Sequence, residues 1–287
     1  MRVFFVTIFT FLERTISLTM KLKIGVLNIM HDKVDTQKRF THVLKRANPE
    51  VEIRYFYPKS HHMKQPIPAG WQASSLDFEQ VKKLDGFIIT GAPIERIPFE
   101  EVDYWQELTQ LFDLLKDMRI PQLYVCWGAM AAMKYFYGIE KHELPEKLFG
   151  IYPQEILNKT PLLKGLTEGF KAPHARYAEM NVDEVLASPL TVNAVTESGH
   201  LTLASQGEQS FLFTHLEYGP SAFQKEYQRE LTARGGDDQG LAKPENYFAN
   251  EDAMALPLFT WRSTQKHFFN NWMTTVKNAK GAQYYVY

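Results

Sequence analysis

The chain has 287 residues, 32 basic and 33 acidic side chains, 45% hydrophobic residues and a single cysteine. That length suits one large domain or two small ones with an ample core, and a formal net charge of −1 excludes the basic footprint of a nucleic-acid binder. One cysteine excludes an internal disulfide and a cysteine-rich zinc site, points to a reducing, cytoplasmic compartment, and leaves Cys126 as either a buried small hydrophobe or a nucleophile.

Residues 3–12 (VFFVTIFTFL) form an apolar run behind Arg2 that faintly resembles the core of a secretory signal. The run is shorter than the roughly 20 residues that span a bilayer, and Glu13 and Arg14 follow it where small residues would mark a cleavage site. Residues 1–19 therefore read as an upstream extension, or a start assigned too early, outside the fold; a cryptic signal or membrane tether is the alternative. Met20 opens MKLKIGVLNIM, a typical first buried strand.

From there short apolar runs alternate with amphipathic segments, the pattern of βαβ units. Residues 22–30 read as a strand, 34–47 as a helix, 51–57 as a strand, and 58–75 as a long polar surface loop. A short helix at 77–83, a strand at 86–90, the loop GAPIERIPF, a long helix at 100–118, a strand at 122–125 and a helix at 129–137 follow. The second half is less regular: short strands at 191–195, 201–204 and 210–214, a helix at 221–233, the loop RGGDDQGLAKPEN, and a closing helix at 261–276. The expected fold class is α/β, a mostly parallel sheet with helices on both faces. No linker divides the chain into independent domains.

Three segments carry chemistry. In LYVCWGAMA, Cys126 stands between a short apolar strand and a helix, where a nucleophile elbow would place it. The helix N-terminus favours an anion there, and Gly128, Ala129 and Ala131 suit a tight turn with room for substrate. In FLFTHLEY, His215 and Glu217 lie two residues apart, so an extended segment would project both to one side as base and orienter. H-x-E alone is a weak motif, equally consistent with a strand cap and a solvated carboxylate. In FIITGAP, Gly91 ends a buried strand and suits either an oxyanion-binding turn or an ordinary βα turn. All three would lie at the carboxyl ends of parallel strands. SHHMKQPIPAGW offers no metal spacing, since His61 and His62 are adjacent and read as solvated loop residues.

The motifs GAPIE, YVCWGAMAA, EKLFG, APHARY, FTHLEY and EYQRE, in this order, resemble the homoserine O-acyltransferases of the methionine pathway. That family has a fold similar to class I glutamine amidotransferase domains, a flavodoxin-like architecture. The resemblance runs from about residue 20 to about residue 279, which makes 20–279 one acyltransferase domain and 280–287 a C-terminal tail. It implies that Cys126 takes an acyl group from acyl-CoA as a thioester, that His215 deprotonates the acceptor hydroxyl, and that Glu217 completes the triad. Backbone amides at Trp127 and Gly91 would hold the oxyanion. Lys147 and Arg229 match residues that bind the amino-acid acceptor, a role a guanidinium suits by holding a carboxylate bidentately; a solvated surface charge is the plainer reading of both.

Glu95 matches the position that separates acyl donors, where glutamate accompanies acetyl and glycine succinyl transfer, since its bulk and charge exclude a distal carboxylate. Acetyl-CoA is thus expected as co-substrate, with no bound cofactor or metal. Ala175 departs from the family's A-P-H-S-R-Y. Loss of that hydroxyl puts the acceptor in question and ranks serine just ahead of homoserine. THLEY also replaces the more usual G-H-P-E-Y but keeps the H-x-E spacing. The expected partners are small molecules, without nucleic acid or membrane, and a homodimer is the default assembly. The competing readings are a homoserine O-succinyltransferase, a glutamine amidotransferase or cysteine hydrolase on the same fold, and a binding module without activity.

Overall fold

The computed structural model describes residues 21–63, 67 and 69–284, so the reading of residues 1–19 and the end of the C-terminal tail lie outside the described residues. The first half alternates strand and helix as the periodicity dictates. In order come β1 (Lys23–Leu27), α1 (Lys33–Ala47), β2 (Glu52–Tyr57), α2 (Lys59–His62), β3 (Ser74–Ser75), α3 (Phe78–Val81) and β4 (Gly86–Ile89). A 3-10 turn at Phe99–Glu101 precedes α4 (Trp105–Asp117), β5 (Gln122–Val125) and α5 (Trp127–Tyr137). The predicted loop at 58–75 thus holds α2 and the two-residue β3.

The second half is far more ordered than its sequence suggests. Long strands β6 (Lys141–Ile156) and β7 (Phe170–Met180) fill a stretch to which the hydrophobic pattern assigns no element. The reason is visible in their residues: Pro145, Pro153 and Pro173 break strand propensity, and β7 buries His174, Arg176 and Glu179. Then follow α6 (Val182–Ala187), β8 (Thr191–Thr196), β9 (Leu201–Gln206), β10 (Gln209–Leu212), α7 (Ala222–Ala233), the small ladder of β11 (Phe248–Asn250) with β12 (Ala255–Pro257), and α8 (Arg262–Tyr284).

Ten strands form one sheet in the order β3-β2-β1-β4-β5-β10-β9-β8-β6-β7. Pairing is parallel from β3 to β10 and antiparallel from β10 to β7. Alternate residues of the central strands enter opposite cores: Ile24, Val26, Ile88 and Val125 pack with α1 and α8, while Phe87, Ile89 and Tyr124 pack with α4 and α5. Helices therefore cover both faces, as a doubly wound sheet requires.

Two consequences position the site. Register brings Ile89 of β4 beside Tyr124 of β5, and Leu212 of β10 beside Val125, so three strands end side by side. The antiparallel half also curls, so that β7 meets the segment leaving β10. The His215 amide donates to the Pro173 carbonyl at 2.8 Å, and Arg176 Nη1 donates to the Phe213 carbonyl at 3.1 Å.

Candidate active site

The turn from β5 into α5 is strained at one residue. Cys126 has φ 50° and ψ −115°, a left-handed conformation that costs a β-carbon-bearing residue about 1–3 kcal/mol. Its amide donates to the Leu212 carbonyl at 2.7 Å and its carbonyl accepts the first bonds of α5, which lock the bend between sheet and helix. Trp127, the first residue of α5, has an amide for which the helix supplies no partner. The small residues behind Cys126 serve packing rather than leaving room for substrate. A β-carbon on Gly128 would lie 2.7 Å from the Thr90 carbonyl oxygen, and Ala129 and Ala131 are fully buried in the α4–α5 core.

Gly91 sits directly against the thiol residue. A β-carbon there would stand 3.2 Å from Cys126 Cβ and 3.7 Å from His215 Cε1, so the three strand ends converge as the register dictates. His215 and Glu217 are not on an extended segment. β10 stops at Leu212, and a turn closed by the Tyr218 amide on the His215 carbonyl at 3.0 Å carries both residues. The turn, not strand alternation, brings His215 Nδ1 within 2.8 Å of Glu217 Oε1, while the imidazole and Cys126 both face Gly91. Burial opposes charge on His215, but Cys126 and Glu217 outweigh it and raise the imidazole well above its ordinary range. The arrangement is a buried Cys–His–Glu group in which both neighbours favour the charged imidazole.

Beside it lies a cavity of about 410 Å³ lined by Glu95, Lys147, Ala175, Tyr177, Glu226 and Arg229, among others. Four residues singled out by the sequence thus share one pocket although 134 positions separate the first from the last. Lys147 is no solvated surface charge. Its side chain is 2% exposed, donates to Glu226 Oε1 and Glu230 Oε1 at 2.6 Å each, and lies 3.8 Å from the centre of the Phe149 ring. Arg229 is exposed, and its side chain makes no hydrogen bond among the described residues. Its guanidinium is therefore open to an anion at the pocket that it lines with Glu226.

Glu95 is partly buried, and burial followed by the neighbouring Glu226 raises its carboxyl above the ordinary value. Its charge is thus disfavoured in place while its bulk is unaffected. A second, more apolar cavity of about 480 Å³ lies on the other side of the 93–97 loop, lined by Ile29, Met30, Ala92, Ile97, Val102 and the buried Lys33.

Residues that the sequence reading missed complete the surroundings. Glu226 and Glu230 stand one turn apart on α7, within the same EYQRE segment that supplies Arg229. Tyr177 donates to Glu230 Oε2 at 2.8 Å. Arg176, 0% exposed, bonds His174 Nδ1 (2.7 Å), Glu179 Oε2 (2.5 Å) and the carbonyls of Leu201 (2.9 Å) and Phe213 (3.1 Å). Burial, then Arg176, holds His174 well below its usual range, so it stays neutral and accepts. The sequence signals for them are the charged residues of EYQRE and the scattered polar residues of APHARYAEM. Among the described residues no cluster of three His, Cys, Asp or Glu side chains is placed to hold a metal ion.

The profile of the homoserine O-succinyltransferase family matches residues 14–281. A serine O-acetyltransferase of Lactobacillus acidophilus is 46% identical over 266 residues, covering 91% of this chain and 97% of that protein. One from Lacticaseibacillus casei is 44% identical over 260 residues, 89% of this chain and 95% of that protein. A homoserine O-acetyltransferase of Thermotoga petrophila is 37% identical over 257 residues, 88% of this chain and 83% of that protein. In fold, the chain is similar to a glutamine amidotransferase of Thermotoga maritima (TM-score 0.61, 13% identity, 90% of this chain and 99% of that one). No helix among the described residues is long and apolar enough to cross a membrane.

Proposed function

As a member of the homoserine O-succinyltransferase family the chain is an acyltransferase, and we propose that it carries acetyl from acetyl-CoA, through a thioester on Cys126, to the side-chain hydroxyl of serine, with homoserine as second acceptor. The observation that carries this reading is the buried group of Cys126, His215 and Glu217 beside a pocket with an open guanidinium.

Cys126 as thiolate attacks the thioester carbonyl, and the amides at Trp127 and Gly91 hold the developing oxyanion. The carbon–sulfur bond to CoA breaks, and CoA leaves with the proton that His215 held. The apolar cavity beyond the 93–97 loop gives room for the donor's thiol-bearing arm. The acceptor then sets its carboxylate on Arg229. Neutral His215, oriented by Glu217, takes the hydroxyl proton as that oxygen attacks the acetyl carbonyl; the thioester breaks, and the O-acetyl amino acid leaves. A product of this kind is an activated precursor for sulfur amino-acid synthesis.

The donor preference rests on the bulk of Glu95 in the pocket, and the acceptor preference on Ala175, which lines it. Relatives at 46% and 44% identity are named for serine, one at 37% for homoserine. Incubation with acetyl-CoA alone is expected to add one acetyl group to the intact protein and release CoA. Cys126→Ala should show neither. Near-normal turnover by Cys126→Ala would overturn the covalent route, and ammonia release from glutamine without CoA chemistry would replace the reading by amidotransfer.

A further inference from the structure

We propose that Tyr218 is a positioning residue that couples the acceptor pocket to the catalytic base: its ring seats the imidazole of His215 while its hydroxyl holds Glu226. The two rings stack with centroids 4.5 Å apart and planes 21° from parallel. The Arg39 guanidinium of α1 also lies over the phenol ring, 4.6 Å from its centre. Both the imidazole and the guanidinium thus pack on the phenol ring. Its backbone is fixed as well: the Tyr218 carbonyl accepts from Trp261 Nε1 and Gln265 Nε2, each at 3.0 Å. Little freedom remains for the ring except with its neighbours.

The hydroxyl donates to Glu226 Oε2 at 3.0 Å. Burial, then Glu226, pushes the phenol well above its usual range, so it stays protonated and donates. The opposite oxygen of Glu226 takes Lys147 at 2.6 Å, and both side chains line the pocket that holds Ala175 and Arg229. A continuous path of one hydrogen bond and one ring stack therefore joins the acceptor pocket to the group that must deprotonate the acceptor. Cys126 acylation precedes acceptor binding; it uses His215 and the ring stacked on it but not the hydrogen bond to Glu226.

The inference rests on the proposed acetyl transfer, and the ping-pong route separates the two steps for testing. Acetyl-enzyme formation is followed by CoA release from acetyl-CoA without acceptor, and its discharge by adding serine to the isolated acetyl-enzyme. Tyr218→Phe keeps the stack and removes the hydroxyl. It should leave acylation within about twofold of wild type and lower discharge kcat/KM by roughly tenfold to a hundredfold, the effect of one hydrogen bond to a charged group. Tyr218→Leu, which removes the stack, should slow both steps, with folding checked by circular dichroism; if it does not fold, Tyr218→Phe alone decides. A general structural role would lower both steps together, so equal losses in Tyr218→Phe, or none, overturn the inference. A wild-type protein that forms no acetyl-enzyme overturns the proposed function and this inference with it. A normally acylated wild type with an unsplit Tyr218→Phe overturns the inference alone.

Discussion

Replacing Lys147 with methionine tests the electrostatics of the pocket between Glu95 and Arg229 most directly. The side chains of Lys147, Glu226 and Glu230 are 2%, 10% and 20% exposed, and the ammonium bonds both carboxylates at 2.6 Å. Methionine retains the length and apolar stem but leaves two neighbouring carboxylates without their cation. Breaking a buried ion pair from one side costs about 3–5 kcal/mol; because Glu230 is partly solvated, about 3 kcal/mol is expected. For a chain of this size that corresponds to a fall in Tm of about 6 °C. The loss also carries a sign with pH. Burial works to raise the Glu226 carboxyl, but Lys147 overrides it and holds the group below its ordinary value. In the wild type that contribution is full above the usual carboxylate range and disappears as pH falls through the depressed value. Without Lys147 burial wins, so Glu226 resists ionisation and the deficit is largest near neutrality. Urea unfolding of both proteins near pH 7.5 and near pH 5.5 should show the difference shrinking on acidification. A deficit under about 1 kcal/mol at neutral pH, the range of an exposed pair, or one that grows on acidification, would refute the argument.

Glu95→Gly should raise the succinyl-CoA to acetyl-CoA ratio of kcat/KM by about tenfold or more, the scale of a pocket contact; an unchanged ratio removes Glu95 from donor selection. Ala175→Ser restores a hydroxyl to the pocket and should move the serine to homoserine preference about fivefold toward homoserine, the value of one neutral hydrogen bond. A shift the other way in a competition assay would argue against that assignment. Arg176→Met should destabilise the fold by about 3–5 kcal/mol, since it strands Glu179 and two carbonyls in the interior. Denaturant unfolding that finds less than about 1 kcal/mol would show that water replaces the guanidinium.

Much of the first half follows from pattern alone. The four-residue strands before Gly91 and Cys126 are buried on both faces, and the α-helix between them carries one apolar stripe. The strand-turn-helix context of Cys126 is local, so the sequence displays it. The β6–β7 pair is not legible in this way, because its strands carry three prolines and bury charged side chains that have no hydrophobic period. Only their partners make such residues compatible with the interior: Arg176 is surrounded by four acceptors drawn from β7, β9 and the segment after β10.

The sequence by itself singled out the candidate residues, because six motifs stand in order and each carries a side chain or turn suited to acyl transfer. Tertiary structure alone decided how they meet. His215 reaches Glu217 through a turn rather than along a strand, Lys147 is buried between two glutamates rather than solvated, and Tyr218 joins pocket to base. These are contacts between residues from different strands and helices. Their geometry depends on sheet order and on the curl that returns β7 to β10, which no local period along the chain encodes.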